Sequence, residues 1–178
     1  VEGAWRGIGC ALIAPDIDVE SGGRISADEQ GYLGAAAGET FGSGPGISDY
    51  KGYGGCYGAE GDPKAYGDAM TPREPGSGGN GYYTTTARTG NGGGSIRLVA
   101  DTLTLDGEVS ANGGHGIFSG GGGSGGSVWA TIHTLRGSGR FSADGGNRAA
   151  YGNEGTGGRI AVYYHDASEF SGVNISGA

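Results

Sequence analysis

Residues 95–114 read SIRLVADTLTLDGEVSANGG, and residues 127–146 read SVWATIHTLRGSGRFSADGG. The two align without a gap, 32 residues apart. At the same spacing again, Arg159 opens RIAVYYHDASEFSGVNISGA (159–178), which matches if one extra residue is placed before Ile175. Upstream, ALIAPDIDVESGGRISADEQ (11–30) matches 95–114, again without a gap. The chain therefore carries four copies of one phrase, near 11–30, 95–114, 127–146 and 159–178, with one large insertion at 29–92 after the first. Such a repeat takes precedence over any local reading, because each copy is one structural unit stacked on the next.

Within a copy the apolar residues alternate. Ile96, Leu98 and Ala100 are spaced by two, as are Leu103 and Leu105, and Val128, Ala130 and Ile132. Period two belongs to strands, and no segment shows a helical stripe. Each copy predicts three short strands: one at its start, one around Leu103 or Leu135, and one at Val109 or Phe141. Asp101-Thr102 and Asp106-Gly107 separate them. Three strands, a fixed period and no helix predict an all-β fold: a parallel β-solenoid (β-helix) of about four coils, one domain over 1–178. The gapless repeat disfavours a sandwich or barrel. Equivalent residues then stack about 4.8 Å apart. Val19, Leu103, Leu135 and Ala167 form one interior ladder. Ile25, Val109 and Phe141 form a second, continued by Val173 or Ile175. Ala27, Ala111 and Ala143 form a third. Asp28, Asn112 and Asp144 follow and start a turn, where such side chains bond local backbone.

Glycine is the compositional anomaly, at 45 of 178 residues. Collagen's strict three-residue period is missing. The glycines cluster in long loops, as in IFSGGGGSGG (117–126) and RAAYGNEGTGG (148–158). Glycine allows close backbone approach, so these stretches are expected to pack on one another as extended, polyglycine-like segments. The net charge of -8 argues against nucleic acid, whose phosphates need a basic stripe, and against anionic membrane surfaces. No apolar run reaches the roughly 18 residues of a membrane span. The absence of an initiator Met and of a signal peptide points to a processed product or a piece of something longer. Two cysteines, Cys10 and Cys56, predict one disulfide in an oxidising compartment, pinning the insertion to the first coil. Asn174 opens the one sequon, a glycosylation candidate consistent with secretion. The expected location is extracellular or at a cell surface.

The stretch YGGCYGAEGDPKAYGDAMTPREPGSGG (53–79), the two central repeats and GTGGRIAVYY (155–164) carry a resemblance. They resemble segments of large glycine-rich surface and secreted proteins of bacteria, protists and plants. Those segments pair a Tyr-Gly-Asp…Pro…Gly-Ser-Gly-Gly stretch with Ile-Ser-Ala-x-Gly-Gly repeats and a Gly-Gly-Arg-Ile-Ala ending. The resemblance covers about 7–164 and implies an extracellular, non-catalytic solenoid. Lys51-Gly-Tyr-Gly-Gly departs from the more usual Gly-His-Gly-Gly, so no histidine role carries over there.

Chemistry-bearing motifs are sparse. Gly122-Gly-Ser124-Gly-Gly126 spells a nucleophile elbow but lacks the strand-turn-helix setting. His133 and His165 share the turn position of Asp101, and His115 follows its copy; all three read as exposed turn residues. Asp49, Glu60, Asp62 and Asp68 are dense enough to raise Ca²⁺ binding, against a solvated acidic loop. Tyr32, Tyr50, Tyr53, Tyr57, Tyr66, Tyr82 and Tyr83 crowd the insertion, as cap mass or a sugar-stacking surface. Thr84-Thr85-Thr86 does not recur with the repeat, against an ice-binding ladder. No enzyme, cofactor or metal is predicted. The alternative is a glycan-binding or polysaccharide-lyase-like module, whose chemistry needs clustered carboxylates that these scattered acids do not supply. At the ends no polar cap is evident, with Val1 to Gly9 the only cover. The expected function is therefore structural: a head-to-tail fibre subunit, or a segment of a surface adhesin, with glycans or a cell surface as further partners. A repeating contact that does not close makes a filament. The stacking candidates are Val173, Ile175, Leu12 and Ile17.

Overall fold

The computed structural model describes residues 9–59, 62–82, 88–148 and 150–172. These are all-β, with seven strands and no helix among the described residues: β1 Cys10–Val19, β2 Arg24–Ser26, β3 Ser95–Leu105, β4 Glu108–Ser110, β5 Ser127–Gly137, β6 Arg140–Ser142 and β7 Arg159–Phe170. One parallel sheet has the order β1-β3-β5-β7, and a second the order β2-β4-β6. Each of the first three copies of the repeat gives one long strand to the first sheet and one short strand to the second.

Two strands per copy replace the expected three, because the first two run together. A trace of the predicted break survives. Pro15, Asp101, His133 and His165 occupy one column, and the pairing passes over it. The buried positions also change phase there: Ile96, Leu98 and Ala100 before it, Leu103 and Leu105 after it. A proline at such a position costs the ladder no hydrogen bond.

Registers agree with the repeat in the middle of the sheet and depart from it at both edges. β3 and β5 pair without a gap from Ser95↔Ser127 to Thr104↔Arg136. Ile25, Val109 and Phe141 lie opposite one another in the second sheet. In β1, however, Ile17 pairs with Leu103 and Val19 with Leu105, two residues from the expected Val19–Leu103 ladder. A shift of two keeps every side chain on its face, so alternation alone does not reveal it. Glu20-Ser21-Gly22-Gly23 joins β1 to β2 where Asp106-Gly107 suffices after β3, and this longer corner restores Arg24↔Glu108. In β7 the extra residue lies between Asp166 and Glu169 as an irregularity in the ladder, within the strand.

The core is a single cluster between the two sheets. Leu98, Leu103, Leu105, Val109, Ala111, Val128, Ala130 and Phe141 are at its centre, and Ile17, Ile25, Ile160, Val162 and Ala167 pack at its margins. Ala27, Ala111 and Ala143 are all buried, as the third ladder requires.

The glycine-rich half is held differently. Along 121–126, successive N–H groups point to three neighbours in rotation. Those of Gly121 and Ser124 reach the carbonyls of Asn80 and Ser77; those of Gly122 and Gly125 reach Asn153 and Thr156; those of Gly123 and Gly126 reach Gly114 and Ala111. A three-residue period is that of the polyproline II helix, which has no internal hydrogen bonds and turns its backbone groups outward. Its carbonyls accept from further segments: Gly121 from Gly90, Ser124 from Gly93, Gly122 from Gly55 and Gly123 from Gly146. The segment is thus surrounded by others of its kind. A Cβ on Gly122 would collide with the Gly146 carbonyl, and one on Gly123 with that of Asn91. Side chains that do enter are small and polar. Ser124 Oγ accepts from Ser77 N–H (2.8 Å), and Ser77 Oγ accepts from Gly46 N–H (2.9 Å). The expected polyglycine-like packing is present, as a hydrogen-bonded network.

The expected disulfide is not formed: Cys10 and Cys56 are both free thiols. Cys10 opens β1 at one edge of the sheet. Cys56 is flanked by Gly55, which accepts from Thr156 N–H, and Gly58, which donates to Gly157, on the approach to β7 at the other edge. Three strand spacings, about 14 Å, separate those edges. A disulfide needs Cα atoms within about 7 Å.

Candidate functional site

The residues that matter most lie on the two outer strands of the large sheet. Among the described residues, β1 and β7 are each paired on one side only. The column Cys10–Ile96–Val128–Ile160 and the column Leu12–Leu98–Ala130–Val162 both point into the core. In the middle strands these side chains are at most 1 % exposed, whereas Leu12 on β1 is 37 % exposed. Cys10 is exposed, and Ile160 and Val162 are half-buried. The core therefore runs out to open faces at both edges. Of the stacking candidates, Leu12 lies on the open face and Ile17 packs half-buried against the core. Val173 and Ile175, with the glycosylation candidate Asn174, fall outside the described residues.

Charged residues follow the same columns. Arg24, Glu108 and Arg140 are consecutive in the second sheet, and Glu108 bonds both arginines at 2.8 Å. On the first sheet Asp16, Thr102, Thr134 and Asp166 share one column, and Asp18, Thr104, Arg136 and Glu169 another. Arg136 pairs with Glu169 at 3.1 Å.

At the corner that follows the β2, β4 and β6 strands, Asp28, Asn112 and Asp144 are joined across copies, while Asp28 and Asp144 also accept from Arg24 and Ser142 nearby in sequence. Asp28 Oδ1 accepts from Asn112 N–H (2.7 Å), and Asn112 Oδ1 from Asp144 N–H (2.8 Å). This ladder was not foreseen. The signal for it was the recurrence of Asx at one position in three copies.

The insertion buttresses the outer face of β3 and β5. Tyr57 is fully buried, with its hydroxyl 2.7 Å from Ser127 Oγ, which donates to the Glu74 carbonyl (2.6 Å). Tyr66 donates to the Pro75 carbonyl (2.6 Å). Burial pushes both phenols above the ordinary tyrosine value. Trp129 is covered by the Arg97 and Arg73 guanidinium groups at 3.8 and 4.7 Å. Tyr57 and Tyr66 are thus structural, while Tyr50 and Tyr53 form an exposed pair, ring centroids 5.3 Å apart. This pair opens on a cavity of about 450 Å³ that Asp49, Asn153 and Glu154 also line.

The remaining motifs are tied up locally. Ser124 is buried in the glycine network. Asp49 pairs with Lys64 (3.0 Å), Asp62 accepts from Lys64 N–H (2.7 Å) and Asp68 from Met70 N–H (2.7 Å); Glu60 lies outside the described residues. His133 and His165 stack, 4.8 Å apart and 9° from parallel, and His115 Nδ1 accepts from Asn147 N–H (2.9 Å). Among the described residues no three of His, Cys, Asp and Glu are grouped to hold a metal ion. Burial, with Asp62 nearby, pushes the Cys56 thiol up and keeps it protonated. No helix among the described residues is long and apolar enough to cross a membrane. Comparison with protein families, with curated proteins and with solved structures finds no match.

Proposed function

We propose that this chain is a four-coil parallel β-solenoid and a structural extracellular protein, stacking end to end with copies of itself as a fibre subunit. One observation carries the reading: the inward columns that are sealed in β3 and β5 end on open apolar faces, Cys10 and Leu12 at one edge, Ile160 and Val162 at the other. Continuing the parallel register sets β1 of one copy on β7 of the next. Ile160 then covers Cys10, Val162 covers Leu12, and Pro15 lies over His165. Among the described residues both edge strands are paired on one side only, and such a contact pairs the other side. The glycine-rich composition and the resemblance to secreted glycine-rich segments support the extracellular setting.

Sedimentation velocity over a concentration series, with electron microscopy of the same samples, tests the reading. The expected result is concentration-dependent growth into filaments one molecule wide, abolished by Leu12→Glu. A strict monomer at every concentration contradicts it.

A second reading rests on the exposed Tyr50–Tyr53 pair: the chain is an adhesin segment that stacks these rings on sugar. A glycan array compared with Tyr53→Ala tests it, and binding that ignores the substitution rejects it.

A further inference from the structure

The end-to-end contact has a chemistry of its own, and this inference rests on the stacking reading above. Within the chain, charged columns are arranged to attract. Arg24, Glu108 and Arg140 alternate in sign, and Arg136 reaches Glu169. The columns that cross the junction do the opposite. The Asp16 column runs through Thr102 and Thr134 to Asp166, so the next copy sets Asp16 against Asp166. The Asp18 column runs through Thr104 and Arg136 to Glu169, so the next copy brings Asp18 to Glu169. Interior neighbours in these columns are neutral or oppositely charged; only the junction pairs like with like.

We infer that Asp16 and Asp18 on β1, facing Asp166 and Glu169 on β7 of the next copy, form an electrostatic gate that holds stacking back when all four are ionised and releases it when they are neutralised or screened.

The strength follows from geometry. Facing residues in a parallel sheet lie about 4.8 Å apart, and like charges directly opposite destabilise a pair. All four carboxylate residues are exposed, so water weakens the repulsion without removing it. The charged groups facing these columns are few. Arg136 lies in the Glu169 column and is already bonded to it. Asp101, His133 and His165 lie on the adjoining corner column. Arg136 and His165 also lie close enough to Asp166 to favour its charged form, and they offset part of the Asp16–Asp166 repulsion. Asp166 is held ionised by its bond from Ser168 N–H (2.9 Å), which lowers its carboxyl below the ordinary value in the free chain. Bringing a second carboxylate to it favours the protonated form in the stack. Stacking therefore binds protons and strengthens as pH falls through the carboxylate range, about pH 4. A whole-chain charge of -8 adds a longer-range repulsion of the same sign.

The same residues on β1 guard the open edge against pairing in other registers. Charges and proline are how natural sheets guard an edge, and Pro15, Asp16 and Asp18 are adjacent on this one. An in-register copy places Pro15 on the column that the ladder already passes over. A copy in another register sets that proline against a paired position and loses a hydrogen bond.

The test is sedimentation velocity of the full chain at one protein concentration. Four conditions are compared: pH 7 at about 0.01 M salt, pH 7 at about 1 M salt, about pH 4, and pH 7 at low salt for Asp16→Asn/Asp18→Asn. The expected result is a roughly tenfold lower concentration for half-assembly in high salt, in acid and in the double variant than in the unaltered chain at pH 7 and low salt. Asp16→Glu/Asp18→Glu, which keeps the charge, should behave as the unaltered chain does. If the unaltered chain and the double variant assemble alike at pH 7 and low salt, the gate is wrong and the stacking reading stands. If neither assembles in any condition while circular dichroism shows the strands intact, stacking fails and the gate with it.

Discussion

The two halves of the molecule hold together by opposite means. The sheet half buries Leu98, Leu103, Val109 and Phe141 between paired strands and depends on side-chain volume. The glycine half has almost no side chains to bury and depends on backbone hydrogen bonds that rotate through three neighbours, as along 121–126. One half has a pattern made of what its residues carry, the other a pattern made of what they lack. Substitutions should therefore act in opposite senses: removing atoms damages the sheet half, and adding them damages the glycine half.

The largest effect is expected from Leu103→Ala, which empties a site with no exposure at the centre of the core. A loss of about 2–5 kcal/mol, read by chemical denaturation, is the expected outcome. An effect under about 1 kcal/mol would mean that the sheet half is not the well-packed part.

Adding one methyl group in the other half comes next. Gly123→Ala meets the Asn91 carbonyl and should cost about 1–3 kcal/mol. Gly38 is the control, because it has nothing within reach of a Cβ and only a φ of +79° to disfavour alanine. Gly38→Ala should cost about 1–2 kcal/mol from backbone strain alone, less than Gly123→Ala, which adds a backbone collision. Equal costs at the two sites would remove the argument that the glycines are needed for close approach.

The buttress between the halves gives a pH effect. Tyr57 is neutral and buried, with its ionisation pushed upward. An unfolded tyrosine ionises near about pH 10. Above that the unfolded chain releases protons that the folded chain retains, so stability is full below pH 10 and falls as pH rises past it. Tyr57→Phe should lose about 1 kcal/mol at neutral pH with the Ser127 hydrogen bond, and should show a shallower alkaline decline in thermal melts.

The smallest effect is expected at Glu108, which bonds two arginines that are more than half exposed. Glu108→Gln should cost under about 1 kcal/mol, less than either half loses to a single misplaced methyl.

The same contrast explains what could be read from the chain. The β3–β5 register and the Ile25–Val109–Phe141 ladder were legible because apolar side chains write the period directly. The two-residue displacement of β1 was not, because Ile17 and Val19 point the same way and either satisfies alternation at Leu103. Its trace is the longer Glu20–Gly23 corner. The three-residue rotation in 121–126 was not legible either, because glycine has no side chain to mark which neighbour it faces. The disulfide failed for a related reason: an even cysteine count says nothing about which edge each thiol occupies. The open face of Ile160 and Val162 follows from the repeat, whereas the columns of Cys10 and Leu12 and the like-charged junction columns needed the observed β1 register. A ladder two residues off would have set Asp18 against Asp166.

That register is testable without any assembly assay. Cys10 is exposed on β1, and the stacking account places it opposite Ile160 of the next copy. Mild oxidation of Ile160→Cys should link Cys10 of one copy to the new cysteine of the next, within the roughly 4.4–6.8 Å Cα range of a disulfide. The account predicts a ladder of covalent dimers, trimers and longer chains on a non-reducing gel. A Tyr151→Cys control, exposed in the loop between β6 and β7 and off the Cys10–Ile160 column, should give none. Absence of the ladder from Ile160→Cys under conditions that promote assembly, or an equal ladder from the control, would contradict end-to-end stacking in this register.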